Sequence, residues 1–235
     1  FELCRDHSVD LDSTVKRQIR LHLDLIDPAF LREPKVKEFL LALLNQPKSE
    51  KVLHIMHEAG VLGKILPEFG QTHCMVYYDF YHRYTADEHS LRMVRFLEGL
   101  EGDREIGELS VLSEGVCGRG SKSGWRLKLA ALLSSLRNQR EGEEPQKTWD
   151  VLLPVFQRLQ LTPDEAETVH FLIENLYEMM ETAFHQDIHQ PAVVKGFVQK
   201  VHSLERLNQL YLMSYAELRA VAPDTWTAWK KNLLS

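Results

Sequence analysis

The apolar positions along the chain recur almost everywhere at helical spacing. Leu11, Val15, Ile19, Leu23 and Ile26 fall at three- and four-residue steps, which predicts an amphipathic helix over about 12–26, stopped by Asp27-Pro28. "KVKEFLLALLNQ" predicts a second helix ahead of Pro47. "SEKVLHIMHEAGVLGKILPEFG" predicts a third, ended near Gly60 by a glycine C-cap, with a short apolar turn up to Pro67. In "TADEHSLRMVRFLEGL", Thr85 and Glu88 form the signature of a capping box, and the helix behind them should reach Leu100.

The pattern then lapses and resumes. Gly99, Gly102, Gly107, Gly115, Gly118, Gly120 and Gly124 are seven of the chain's 12 glycines, so about 101–124 reads as a flexible surface insertion. Helix restarts at Trp125 and should run to about Asn138. Its apolar residues Leu129, Leu132, Leu133 and Leu136 surround an odd pair, Ser134 and Ser135, whose hydroxyls need partners if buried. "NQREGEEPQ" is a charged break. Thr162-Pro163-Asp164-Glu165 combines an N-cap Thr, a Pro at the first helical position and a Glu three residues after the cap, opening a helix to about Thr182. Further helices are expected from Pro191 to about His202, from Ser203 to Val221, and after an Asp224 cap. Nothing alternates with period two for long, so the expected class is all-α.

Composition narrows the function classes. The chain has 235 residues, 44% hydrophobic and 26% charged, enough for a substantial core. Net charge is −6 with no long basic run, which argues against nucleic acid as a partner. No apolar stretch is long enough for a membrane span. Cys4, Cys74 and Cys117 are dispersed and odd in number, which fits a reducing cytoplasm rather than a disulfide or zinc-cysteine framework. Phe1 stands where a Met would open a chain and no signal pattern follows, so the sequence reads as a piece of a longer polypeptide.

Candidate chemistry is sparse. "GVCGRGSKSG" brushes against a phosphate-binding loop, but Ser121 stands where the lysine belongs and no strand precedes it, so a plain loop is the stronger reading. His54 with His57, and His185 with His189, have helical spacing, yet zinc needs three or four ligands and solvated histidines account for either pair. "YYDFYHRYTADEHSL" is denser in aromatic, acidic and imidazole groups than a connection requires. Within it His89 sits one turn before Met93, at the edge of the apolar face, where a satisfied core histidine competes with a ligand.

Taken with "VLGKILPEFG", that cluster resembles the bifunctional uridylyltransferase/uridylyl-removing enzymes that modify the PII nitrogen-signalling protein. The resemblance continues through "LKLAALLSS", "LTPDEAETVHFLIENLYEMMETAFHQDI" and "PAVVKGFVQKVHSLERLNQLYLMSYAELRAVAPDTWTAWKKNLL". It covers most of the chain, with the glycine-rich stretch as its weak part. It implies a helical HD-type bundle, of the metal-dependent phosphohydrolase kind, over 71–235. The segment 1–70 would then be helices linking to an upstream nucleotidyltransferase domain, with amino-acid-sensing ACT domains downstream.

The resemblance also implies a divalent-metal site, and here the sequence departs from the family. His89 matches the first histidine. The His-Asp pair falls on Ser134 and Ser135, the lysine after it on Asn138, the paired histidines on Asn175 and Leu176, and the closing aspartate on Glu217. Serine hydroxyls are poor partners for such ions and leucine cannot ligate. The expectation is a degenerate, non-catalytic HD-like domain without metal or other cofactor. It would relay or scaffold between the flanking domains, with a PII-like protein as a further partner. Two alternatives stand beside it. One is an active phosphodiesterase that removes UMP from a PII protein, with substitute ligands drawn from Asp79, His82, His89, Glu178 and Glu217. The other is a helical interaction module unrelated to nitrogen control.

Overall fold

The structure is a computed structural model that describes residues 1–76, 83–100, 108–117, 124–137, 147–222 and 224–234. These residues are helical and contain no strand, as the spacing predicts. Five of the N-terminal helices are α1 (Glu2–His7), α2 (Ser13–Leu21), α3 (Pro34–Leu44), α4 (Ser49–Glu58) and α5 (Val61–Ile65), and α6 (Pro67–Gly70) follows them. The rest of the bundle comprises α7 (Ala86–Gly99), α8 (Glu108–Cys117), α9 (Gly124–Leu133), α10 (Thr148–Arg158), α11 (Pro163–Glu174), α12 (Glu178–His185), α13 (Pro191–Val201), α14 (Leu204–Val221) and α15 (Ala228–Leu234).

Helix α7 is the centre of the packing, touching α14, α9 and α4. Leu91, Met93, Val94 and Leu97 on it are buried, each contributing roughly 1.5–3 kcal/mol by leaving water. Helix α9 fills the gap between α7 and α11, and α3 leans on it. One continuous cluster of buried apolar side chains therefore joins Leu40 and Leu53 of the N-terminal helices to Leu132, Leu172 and Met213.

Several local expectations change. The helix predicted over 12–26 ends at Leu21 and gives way to a 3₁₀ turn, Leu23–Leu25. There Leu23 occupies the space beside Gly60, where an added Cβ would lie 2.8 Å from its Cδ1. Gly60 itself has φ 78, so it terminates the preceding helix in the expected way. Thr85 starts α7 but makes no side-chain cap bond, and Glu88 lies 3.8 Å from His54 instead of folding back. The capping box at Thr162 and Glu165 is complete. The final helix is started by Thr227, whose hydroxyl accepts from the Lys230 N–H at 3.2 Å, and not by Asp224.

Within the stretch expected to be a loop, Glu108–Cys117 is helical, with Ser113 and Val116 buried. Only Gly115 of the glycines lies inside it, and Leu112 and Val116 keep helical spacing. Helix α10 escapes sequence reading because Pro154 sits inside it. Its Leu152, Val155 and Phe156 still form a buried face.

One buried ionic contact fastens four helices. The Glu98 carboxylate, from α7, accepts from the Ser49 N–H at 2.8 Å, the Ser49 hydroxyl at 2.5 Å and the Glu50 N–H at 3.2 Å. It thereby caps α4, whose N-cap residue Lys48 has φ 62 and provides no side-chain cap. Lys128, from α9, donates to Glu98 at 2.8 Å and to the Gln46 carbonyl, just past α3, at 2.7 Å. Removing one partner of such a pair leaves the other charged and buried. Glu98→Ala should therefore lower stability by about 3–5 kcal/mol, and Thr162→Ala at an exposed cap by about 1 kcal/mol. Urea unfolding of both variants checks the ranking.

Candidate functional site

Five of the six positions that the resemblance matches to metal ligands carry polar groups, and the bundle buries or half-buries all five. His89 is on the first turns of α7 and Glu217 on α14, and each is 3% exposed. His89 Nε2 lies 2.9 Å from Glu217 Oε2. The second oxygen of Glu217 accepts from the Tyr177 hydroxyl at 3.2 Å. Neither carboxylate oxygen nor His89 Nε2 is therefore spare.

The serine pair lies at the end of α9, where the α-helix tightens into a 3₁₀ turn, Ser134–Arg137. Both serines are buried. Ser134 Oγ turns back on its own helix, donating to the Ala131 carbonyl at 2.8 Å and lying 3.1 Å from Met93 Sδ. Ser135 Oγ accepts from the Ser90 hydroxyl at 3.0 Å. Each hydroxyl that the sequence left in need of a partner has one, drawn locally or from α7.

The helix predicted over 163–182 breaks at the next two positions. Asn175 ends α11, and its Nδ2 donates to the Phe171 carbonyl one turn back at 2.8 Å. Leu176 follows at 1% exposure as part of the core. Glu178 opens α12 and pairs with Lys200 at 2.5 Å. Asp79, His82 and Asn138 lie outside the described residues, as do the rest of 77–82 in the tyrosine-rich cluster and 118–123 of the "GVCGRGSKSG" loop.

This donor set does not fit a divalent ion. Of the six aligned positions, only His89 and Glu217 have ligand chemistry of the right kind, and they bond to each other. Ser134, Ser135 and Asn175 spend their polar atoms on neighbours, and Leu176 is a core apolar residue. Hydrolysis through a metal-bound water needs an ion held by three protein ligands with an open position. Each of these polar side chains makes a hydrogen bond to another protein group.

The histidine pairs do not behave as pairs. His54 faces Glu58 at 3.5 Å and Glu88 at 3.8 Å, and His57 turns to Asp87. His185 and His189 are exposed. Asp87 is a residue that sequence reading missed. It is 3% exposed, and its Oδ2 accepts from His57 Nε2 at 3.0 Å, His73 Nδ1 at 2.9 Å and the Cys74 N–H at 3.2 Å. Its three donors are spread over positions 57, 73 and 74, so no local spacing could have announced them.

The described residues define an all-α bundle with a buried polar centre, an architecture consistent with a helical HD-type domain. The comparisons are more specific. Residues 1–65 match the family model described as the third domain of uridylyltransferase GlnD. The whole chain is 33% identical to a bifunctional uridylyltransferase/uridylyl-removing enzyme of Azospirillum brasilense, covering 25% of that protein. It is 32% identical to the enzyme of the same description from Novosphingobium aromaticivorans, covering 26% of it. A third such enzyme, from Rhodospirillum rubrum, is 30% identical over 100% of the chain and 25% of its own length. The chain is a GlnD-family domain, and it spans about a quarter of the length of the curated relatives it matches. Among the described residues no helix is long and apolar enough to cross a membrane.

The Asp87 contacts have a pH signature. Burial alone would raise the carboxyl, but hydrogen bonding by His57, the Thr85 side chain, the Cys74 N–H and His73 outweighs it and holds Asp87 below the usual aspartate range. A group lowered in the folded state stabilises the fold above its unfolded pKa, ~3.9. That contribution fades as pH falls through and below this value. Stability of the native chain should drop over this acid range, and Asp87→Asn should flatten the drop while reducing stability at pH 7 by about 1–3 kcal/mol. Chemical denaturation across pH 3–7 tests both.

Proposed function

We propose that this chain is the non-catalytic, HD-like domain of a PII-uridylyltransferase-like nitrogen-regulation protein. Its role is to relay or scaffold between a nucleotidyltransferase domain and amino-acid-sensing domains, and a PII-like protein is a partner of the whole assembly. The observation that carries this reading is the direct, buried contact between His89 and Glu217, at 2.9 Å. In a working site both would turn their lone pairs to a shared ion. Here each is the other's partner.

The replacements support the same reading as a set. An acceptor-rich pocket without its cation is expensive to bury. Ser134, Ser135 and Asn175 find neutral partners, and Leu176 adds apolar packing. Loss of hydrolysis need not loosen the bundle, because the positions now contribute to its cohesion. A rigid helical unit fastened to its neighbours is what a relay between catalytic and sensing domains needs.

The decisive experiment is a hydrolysis assay with added Mn²⁺, using uridylylated PII and a generic phosphodiester as substrates. No turnover above background is expected for the native chain or for His89→Ala. Turnover that His89→Ala abolishes would instead establish a phosphodiesterase working through substitute ligands. Glu217→Ala should destabilise the fold by about 3–5 kcal/mol, because it removes a buried carboxylate that contacts both the His89 imidazole and the Tyr177 hydroxyl.

A further inference from the structure

On the opposite side of α7 from His89, the structure gathers a second group of ligand-type atoms. Asp87 and His89 are two residues apart, so their side chains leave the helix roughly 200° apart. Asp87 faces α4 and the turn at 72–74, and His89 faces α14. We propose that His57, His73 and Asp87 form a zinc site that ties the end of α4 and the 72–74 turn to the start of α7.

Ligand type, geometry and access all support the assignment. Two imidazoles and a carboxylate are a normal zinc donor set. The three ligand atoms lie within 4.8 Å of one another. Asp87 Oδ2 is 3.0 Å from His57 Nε2 and 2.9 Å from His73 Nδ1. Bonds of ~2.0–2.2 Å in a tetrahedron put ligand atoms ~3.3–3.5 Å apart. Each observed contact therefore needs to open by only a few tenths of an ångström.

Asp87 is buried, and its Oδ1 has no hydrogen-bond partner while Oδ2 serves three donors. A buried carboxylate whose Oδ2 faces two imidazoles while its Oδ1 has no hydrogen-bond partner has acceptor capacity that a cation would satisfy. On the other side, the His73 side chain is 64% exposed, so an ion can enter from solvent and keep water in its fourth position. Cys74 is outside the set. Its thiol is 3.6 Å from Nε2 of His73, on the edge of the ring away from the ligating Nδ1. To bind, each histidine must give up the N–H it now directs at Asp87 and present a lone pair, with the proton shifting to its other nitrogen or leaving.

The zinc would act as a cross-link between chain segments and not as a hydrolytic centre. It joins positions 57, 73 and 87, and stabilises the folded state by mass action. The test is titration of the chelator-treated 235-residue chain with zinc chloride against a chromophoric competitor, with the melting temperature followed in parallel. One zinc per chain at micromolar concentration and a rise in melting temperature are expected. His73→Ala, at an exposed position that should not disturb folding, is expected to weaken binding at least ~100-fold and abolish the thermal shift. His89→Gln and Cys74→Ser are expected to bind as the native chain does. Absence of zinc binding, or binding that survives His73→Ala, or binding lost in His89→Gln, would each overturn the assignment. Because its readout is His73-dependent, it fails or stands separately from the His89-dependent hydrolysis assay.

Discussion

Burying charge on α7 is the constraint that organises this bundle. Asp87, His89 and Glu98 all lie on that helix and none is free to reach bulk water, since Asp87 and His89 are 3% exposed and the Glu98 side chain is 10% exposed. A buried ionisable group has to be met by partners on whatever packs against it. Each of the three therefore dictates a neighbour. Asp87 fixes the end of α4 and the 72–74 turn, His89 fixes α14, and Glu98 fixes the start of α4 and, through Lys128, α9 and the end of α3. Apolar burial supplies most of the stabilisation, but these contacts decide which helices meet and in what register.

The same constraint explains how the bundle accommodates Ser134 and Ser135 beside the buried His89–Glu217 contact. Taking an ion out of such a centre leaves acceptors facing one another. His89 meets Glu217, whose carboxylate reaches it across from α14. The hydroxyls meet a carbonyl and another hydroxyl. The centre becomes ordinary protein interior.

Local signals in the sequence anticipated much of the architecture. The Thr162–Glu165 capping box forms because both of its bonds lie within four consecutive residues and need nothing from elsewhere. The similar signature at Thr85 does not form, because Glu88 has a tertiary neighbour, His54, which local reading cannot supply. Pro154 hid α10, although a buried face of Leu152, Val155 and Phe156 outweighs the lost backbone bond. Glycines flanking Glu108–Cys117 made a helix look like a loop.

By itself, the sequence determined the all-α class, most helix positions and the family. Spacing at three and four residues and a set of ordered blocks are properties of the chain alone. It also determined that Leu176 cannot ligate a metal and that Ser134 and Ser135 are poor ligands, since that is side-chain chemistry. Only the tertiary structure decided what those residues do instead, because hydrogen-bond partners such as Ser90 for Ser135 and Glu217 for His89 lie 45 and 128 residues away. It alone brought His57, His73 and Asp87 together. Two helices and a turn must pack before atoms from distant positions can share a few ångströms, and no periodicity encodes that meeting.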